Sequence, residues 1–192
     1  MEGKLAMAWV LILCVATVPV HSEYYSDSVP RAPAKEKKTH LHFFLHDTIS
    51  GNKPSSVMVA HANLSSQGDD QKNPTPFGSV FVFDDPLTEG SEPTSRVIGN
   101  ARGVYVSSSE NKDLTLTVYA DYGFTTGKFN GSSISVFSRL PLTMAEPTHE
   151  LAVVGGRKRF RMARGFAELK PHYFNATNGD AVTEYKVTVF HY

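Results

Sequence analysis

From His40 to the C-terminus the chain alternates with a period of two, and this pattern restricts it to strands. His40–Ile49 sets Leu41, Phe43, Leu45, Asp47 and Ile49 on one face. Asp113–Phe124 does the same with Leu114, Leu116, Val118, Ala120, Tyr122 and Phe124. Successive side chains of a strand point to opposite sides, so each segment has one face to bury. Further strands are expected at Val57–Leu64, Gly78–Phe83, Val97–Ser107, Ser132–Ser138, Glu150–Val154, Phe160–Leu169 and Val182–Tyr192. Turn residues separate them: Gly51 to Pro54, Asp84-Asp85-Pro86 and the hairpin step Asn130-Gly131. Gly99 and Gly103, inside one strand, suggest a bend or bulge. No helical repeat competes. The expected fold is all-β over residues 40–192, an eight-stranded antiparallel β-barrel, with an open sandwich as the alternative.

The residues before His40 have another character. Lys4 is followed by the uncharged run Leu5–Val20, and Val20-His21-Ser22 fits cleavage after Ser22. Residues 1–22 therefore read as a signal peptide, since a membrane span needs about 20 apolar residues. A retained signal anchor is the competing reading. Residues 23–39 are polar, carry Pro30 and Pro33, and end near Lys35-Glu36-Lys37-Lys38; they read as a flexible arm. That charge cluster is either a solvated segment or a point of attraction to acidic wall polysaccharide. Cys14, the single cysteine, lies within the leader, so the exported chain has no disulfide and no thiol chemistry. Closing the sheet on itself is then one good way to protect its edges. Asn63, Asn130 and Asn175 each begin a glycosylation tripeptide. Lys plus Arg equal Asp plus Glu at 19 each, which leaves no overall field for nucleic acid or an acidic membrane.

The candidates for chemistry are acids. Asp47 shares its strand face with apolar neighbours, where desolvation raises a carboxyl pKa and suits it to donate a proton. The alternative is that the strand ends there and Asp47 caps a turn. Asp84 and Asp85 are adjacent and face opposite ways if extended, so one can look into a barrel mouth while the other holds a loop. Arg164 falls on the parity of Phe160 and Met162 and is expected to meet a buried carboxylate. His40, His42 and His46 share one face, but spacing specifies no third ligand, and the expectation is a polar outer face with no metal. There is no phosphate loop, no Gly-x-Ser-x-Gly elbow and no redox centre, so no cofactor is expected.

Several segments, taken in order and spacing, resemble the plant dirigent family. They are His42-Phe43-Phe44-Leu45-His46-Asp47, Phe77-Gly78 leading to Phe83-Asp84-Asp85-Pro86-Leu87-Thr88, Gly99-Asn100-Ala101-Arg102-Gly103-Val104-Tyr105, Phe129-Asn130-Gly131-Ser132, and Val154-Gly155-Gly156 through Phe160-Arg161-Met162-Ala163-Arg164-Gly165. The resemblance covers His40 to Tyr192. It implies an antiparallel barrel, a homotrimer (or homodimer), and secretion to the apoplast. It also implies a protein that holds phenoxy radicals or quinone methides of phenylpropanoids and steers their coupling, the radicals coming from an external oxidase such as laccase. By the same resemblance Asp47 and Tyr105 are polar pocket residues, and Asp84 and Asp85 match the family's Asp-Asp-Pro segment. Asn100, Arg139 and His149 depart from the lignan-forming members. The chain looks closer to the branch containing pterocarpan synthases, which dehydrate isoflavanols through a quinone methide. The alternatives to guided coupling are therefore such a lyase, with Asp47 and Asp84 or Asp85 as acids, or a non-catalytic barrel binder of the cell wall.

Overall fold

The computed structural model describes residues 26, 28–30, 35–61, 75–110, 114–142 and 147–192. Contacts divide the chain into Met1–Pro33 and a compact unit, Ala34–Tyr192. The second unit is built of β1 (Lys37–Asp47), β2 (Ser56–Ala60), β3 (Val80–Thr88), β4 (Val97–Ser107), β5 (Thr115–Phe124), β6 (Ser133–Pro141), β7 (His149–Arg157), β8 (Arg164–Phe174) and β9 (Ala181–His191). Two short 3-10 turns, Gly127–Phe129 and Lys158–Phe160, sit in the β5–β6 and β7–β8 hairpins.

The sheet runs β1-β9-β8-β7-β6-β5-β4-β3-β2, and a further β1–β3 pairing closes it. Every pairing is antiparallel. Eight strands form the closed barrel, and the short β2 lies against the first half of β3. β1 takes the second half, with Phe44 opposite Thr88 and Leu45 opposite Leu87. The alternating faces read from sequence point as their pattern requires: Phe43, Leu45, Leu116, Val118, Ala120, Tyr122 and Phe124 are all buried in the core.

Three strand boundaries and one expected bulge differ from the sequence reading for a clear physical reason. β1 starts at Lys37, because Lys37, Lys38 and Thr39 pair with His191, Phe190 and Val189. The last residues assigned to the arm are therefore strand. Asp84-Asp85-Pro86 does not end β3, which continues to Thr88. The amide of Asp84 donates to Ser55 O (2.9 Å), so the nitrogen of Pro86, two residues on, points the same way. There the β2–β3 pairing has ended and the β1–β3 pairing has not begun, so the donor that proline lacks is not missed. β8 begins at Arg164, not Phe160, because Lys158 (φ 54°) and Met162 (φ 62°) adopt left-handed conformations that turn the hairpin. Finally, the β4–β5 ladder is unbroken through Gly99 and Gly103, and the β3–β4 register shift falls at Leu87/Thr88. The glycines answer to close approach instead: a Cβ on Gly103 would lie 2.0 Å from the Tyr119 carbonyl oxygen.

Candidate functional site

Asp47 ends β1 and Asp85 lies in β3, on the two strands that close the barrel. Counting on from the Leu45–Leu87 pair sets the two acids opposite one another across the seam. Both turn inward. Asp85 is 2% exposed, and Asp47 is reached only from the rim. The interior around them is aromatic. Tyr105 stacks on Phe81 with ring centroids 4.8 Å apart, and Tyr185 stacks on Phe43 at 5.3 Å and meets Tyr122 at 5.4 Å.

The electrostatics follow from this placement. Burial pushes the Asp47 carboxyl up, and the charge of Asp180 adds to the effect; the nearby hydroxyls of Ser56 and Tyr105 oppose it by favouring the anion. Burial likewise pushes Asp85 up, to about 8, with the charge of Asp47 as the next cause. Two neighbouring buried carboxyls, one raised by the charge of the other, titrate as a pair, so near neutral pH the pair retains a proton. Burial raises the phenols of Tyr105, Tyr122 and Tyr185, and Asp85 pushes each of them further up, so all three stay protonated donors. Oδ1 of Asp47, Oδ1 of Asp85 and Oγ of Ser56 are buried without a hydrogen-bond partner. Such atoms cost free energy unless something polar meets them. Together they form a small acceptor-and-donor cluster inside an aromatic wall.

The cluster has a way out. A cavity of about 360 Å³ is lined by His46, Asp47, Pro86, Thr88, Tyr173 and Asp180 among others, so one wall of it is the acid itself. Its rim is fastened. Asp180 accepts from the amides of Ile49 (2.8 Å) and Ser50 (2.9 Å) and from Asn178 Nδ2 (2.9 Å). Burial alone would raise Asp180, but these bonds and that of the Ser50 hydroxyl outweigh it and hold the carboxyl down. Beside it, Thr88 Oγ1 donates to Gly90 O (2.7 Å) and so accepts from His46 Nε2 (2.8 Å). Burial lowers the His46 pKa and keeps the ring neutral.

The other residues singled out from sequence fall elsewhere. Asp84 points outward and is exposed, with its Oδ2 held by Arg102 Nε at 3.0 Å; this corrects its assignment as a pocket acid, since strand alternation gives the interior to Asp85. Arg164 is also corrected. It is exposed, binds Glu36 Oε1 at 2.8 Å and lies over the Phe190 ring, so it meets no buried carboxylate. Its partner strand position is Phe190, while Asp47 pairs with Ala181, nine residues along β9 and about 30 Å away at strand rise. His42 binds Glu184 (2.8 Å) and His40 binds Thr188 (3.2 Å), so the histidines have separate partners. Asn130 is exposed at a turn, and Asn175 Oδ1 accepts from the Thr177 amide (2.9 Å) in another. Asn63 and the proposed leader lie outside the described residues.

Three members of the cluster were not singled out in advance. Tyr122 was legible as an inward residue of β5, but an inward tyrosine reads first as core. Tyr185 was not separated from the rest of the last strand. Ser56 precedes the segment whose alternation was visible.

Comparison with known proteins agrees with this architecture. Residues 38–190 match the family model described as Dirigent-like protein. The chain is 46% identical to Dirigent protein 15 of Arabidopsis thaliana over 100% of both chains. It is 42% identical to Pterocarpan synthase 1 of Glycyrrhiza echinata, covering 95% of this chain and 92% of that one. Among solved structures, the pterocarpan synthase dirigent protein GePTS1 superposes with a TM-score of 0.74 at 42% identity, over 84% of this chain and 89% of that one. A closed antiparallel barrel, a buried acid pair at its seam and a family match spanning nearly the whole compact unit lead to one conclusion: this chain belongs to the dirigent family.

Proposed function

We propose that the barrel binds a phenolic phenylpropanoid or isoflavonoid and dehydrates an isoflavanol through a quinone methide, in the manner of a pterocarpan synthase. The observation that carries this reading is the Asp47–Asp85 pair, with one carboxyl kept protonated by burial and by its neighbour. The protonated acid donates to the departing hydroxyl, the C–O bond breaks, and water leaves. The phenol of the substrate gives its proton to the ionised carboxyl of the pair as the quinone methide forms. A second phenolic hydroxyl then adds to the methide carbon, closing the ring; its proton goes to the carboxyl that had donated to water, and the methide oxygen takes back the proton held by the other, so the pair is restored. No electrons are exchanged, so no oxidant is needed. Tyr105, Tyr122 and Tyr185 supply flat apolar walls, and Ser56 a polar contact, that fix which face is attacked.

The second reading is stereochemical guidance of phenoxy-radical coupling, with radicals made by an external oxidase such as laccase. The full-length similarity to Dirigent protein 15 favours it. The two readings separate cleanly. Purified protein is incubated with an isoflavanol and no oxidase, and products are resolved on a chiral column. A single pterocarpan enantiomer supports the lyase. No turnover there, with enantiomeric excess from coniferyl alcohol plus laccase, supports guidance instead.

We further infer that the chain is exported to the apoplast as a glycoprotein and associates with copies of itself, as a trimer by family likeness. A row of apolar side chains supports association: Val57, Val82, Val104, Tyr119 and Phe137 are register partners across β2 to β6 and all stand exposed on the outer face.

A further inference from the structure

The chain is neutral overall, yet its charge is not evenly spread along the barrel. The acid pair and Asp180 gather where β1 ends. At the other end of β1 and β9, the β5–β6 and β7–β8 hairpins converge, and they are basic. Lys128, Lys158, Arg159 and Arg161 are all exposed there, and none has a carboxylate partner among the described residues. Two further cations at this end are already spent: Arg157 on Asp121 (3.1 Å) and Arg164 on Glu36 (2.8 Å). The two hairpins touch, since a Cβ on Gly131 would meet Lys158 Nζ at 2.7 Å.

We propose that this end of the barrel is a docking surface for a polyuronate, an acidic polysaccharide with a carboxylate on each sugar. The platform is rigid. Phe160 is fully buried between the hairpins, 4.7 Å from Phe129 and 6.2 Å from Phe124 by ring centroid. Gly156 has no room for a side chain, since a Cβ there would lie 2.6 Å from Ser133 O. Lys158 and Met162 are held left-handed, which non-glycine residues avoid unless the surroundings impose it. Cations carried on a fixed frame lose little backbone freedom on meeting a polymer. Because the net charge is zero, attraction to a polyanion has to be local, and among the described residues this end gathers four exposed cations without carboxylate partners.

The chemistry separates a carboxylated sugar chain from other polyanions. Single-stranded nucleic acid is bound largely by stacking on open aromatic faces. Here Phe160 is buried, Phe129 lies under Lys128 (4.9 Å) and Phe190 lies under Lys38 (5.8 Å) and Arg164 (5.2 Å). An acidic bilayer favours basic surfaces with several apolar side chains to insert. Met162 is the one large exposed apolar side chain in the two turns, residues 125–132 and 158–163. A polyuronate needs neither rings nor apolar anchors. Bound this way, the protein presents its acid-lined mouth away from the polymer. The idea draws on the export reading for where such a polymer is met, but the binding itself can be measured without it.

The test is retention of the purified protein on immobilised polygalacturonate and on neutral dextran over a series of NaCl concentrations. The wild type is expected to bind polygalacturonate alone and to be released steadily by salt. R159E/R161E is expected to weaken binding by about tenfold or more. K53E/K170E makes the same change in net charge, four units, at exposed positions away from this end, and is expected to leave binding within about twofold. Thermal melting confirms that both variants fold. Equal weakening by both double variants would overturn the proposal, because net charge alone would then explain the retention. So would wild-type retention no better than on dextran, or tighter binding at the same salt to a single-stranded oligonucleotide or to phosphatidylserine vesicles.

Discussion

Asp47 and Asp85 face one another across the seam that closes the barrel, each on one of the two strands that make it. Neither would be stable there as an isolated anion. Together they form a proton-holding pair: burial raises both, and the charge of Asp47 raises Asp85 further.

Asp47→Asn keeps the size of the side chain and removes its titrating proton. It is expected to melt near the wild type and to slow dehydration by about 100-fold, or, in the coupling assay, to remove most of the enantiomeric excess. Full activity with a normal melt would exclude Asp47 from proton transfer. Asp84→Asn serves as the comparison. That carboxyl points to solvent beside Arg102, so activity should stay within about twofold, since exposed ion pairs contribute little.

The raised Asp85 pKa gives pH dependence a definite sign. Its folded value, about 8, lies above its ordinary carboxylate value, so the protonated form is favoured by folding. The stability it contributes is fully present below the ordinary value and is lost as pH rises toward 8. Turnover that needs the proton falls in the same upper range. Asp85→Asn should flatten the alkaline loss of melting temperature while lowering activity at every pH. Asp180 acts oppositely: its depressed pKa contributes stability above the ordinary carboxylate range that is lost as pH falls through it. A melting profile from pH 3 to 10 of the wild type, Asp85→Asn and Asp180→Asn checks the two signs.

Gly103→Ala should destabilise the barrel by about 3 kcal/mol or more, because overpacking against backbone cannot be relieved by a rotamer change. The added Cβ would meet Tyr119 O, Ala120 Cα and Phe83 Cζ, all within 2.9 Å. Gly155→Ala, where the space is open, should cost less than about 1 kcal/mol. Urea midpoints for the two variants decide the matter.

Phe137→Glu places a charge at the β6 end of the exposed row that runs from β2 to β6. It should convert the assembly to monomer in light scattering at micromolar concentration and leave the melt of the single barrel intact. A wild type already monomeric under those conditions would remove the basis for association.

Much of the fold was legible because strand alternation is a local property. β1 and β5 could be read residue by residue, and Asp47 stood out as the one polar side chain on an apolar face. The Asp84–Asp85 step was legible as a choice between inside and outside, but the choice depends on where β3 stops. Pro86 argues for stopping. Only the gap between β2 and β1, a tertiary arrangement, makes a proline harmless at that point. Arg164 shows the same limit. Its parity was counted from Phe160, and the left-handed Met162 in between resets the count. The tyrosines behind the acids belonged to faces already assigned to the core, and what sets them apart is which carboxylates lie near them in space.

β1 is joined to β9 by eleven residue pairs but to β3 by two, Phe44–Thr88 and Leu45–Leu87. Mechanically the molecule is a curved ribbon with a short zip. In native-state hydrogen exchange the amides along this junction should open well below the global unfolding free energy, while those of β4, β5 and β6 exchange only with it. The carboxyls sit at the zip itself, one on each side. A phenolic ligand that touches both becomes a clasp between the two edges of the ribbon, so saturating the site should slow exchange at the junction more than anywhere else in the chain.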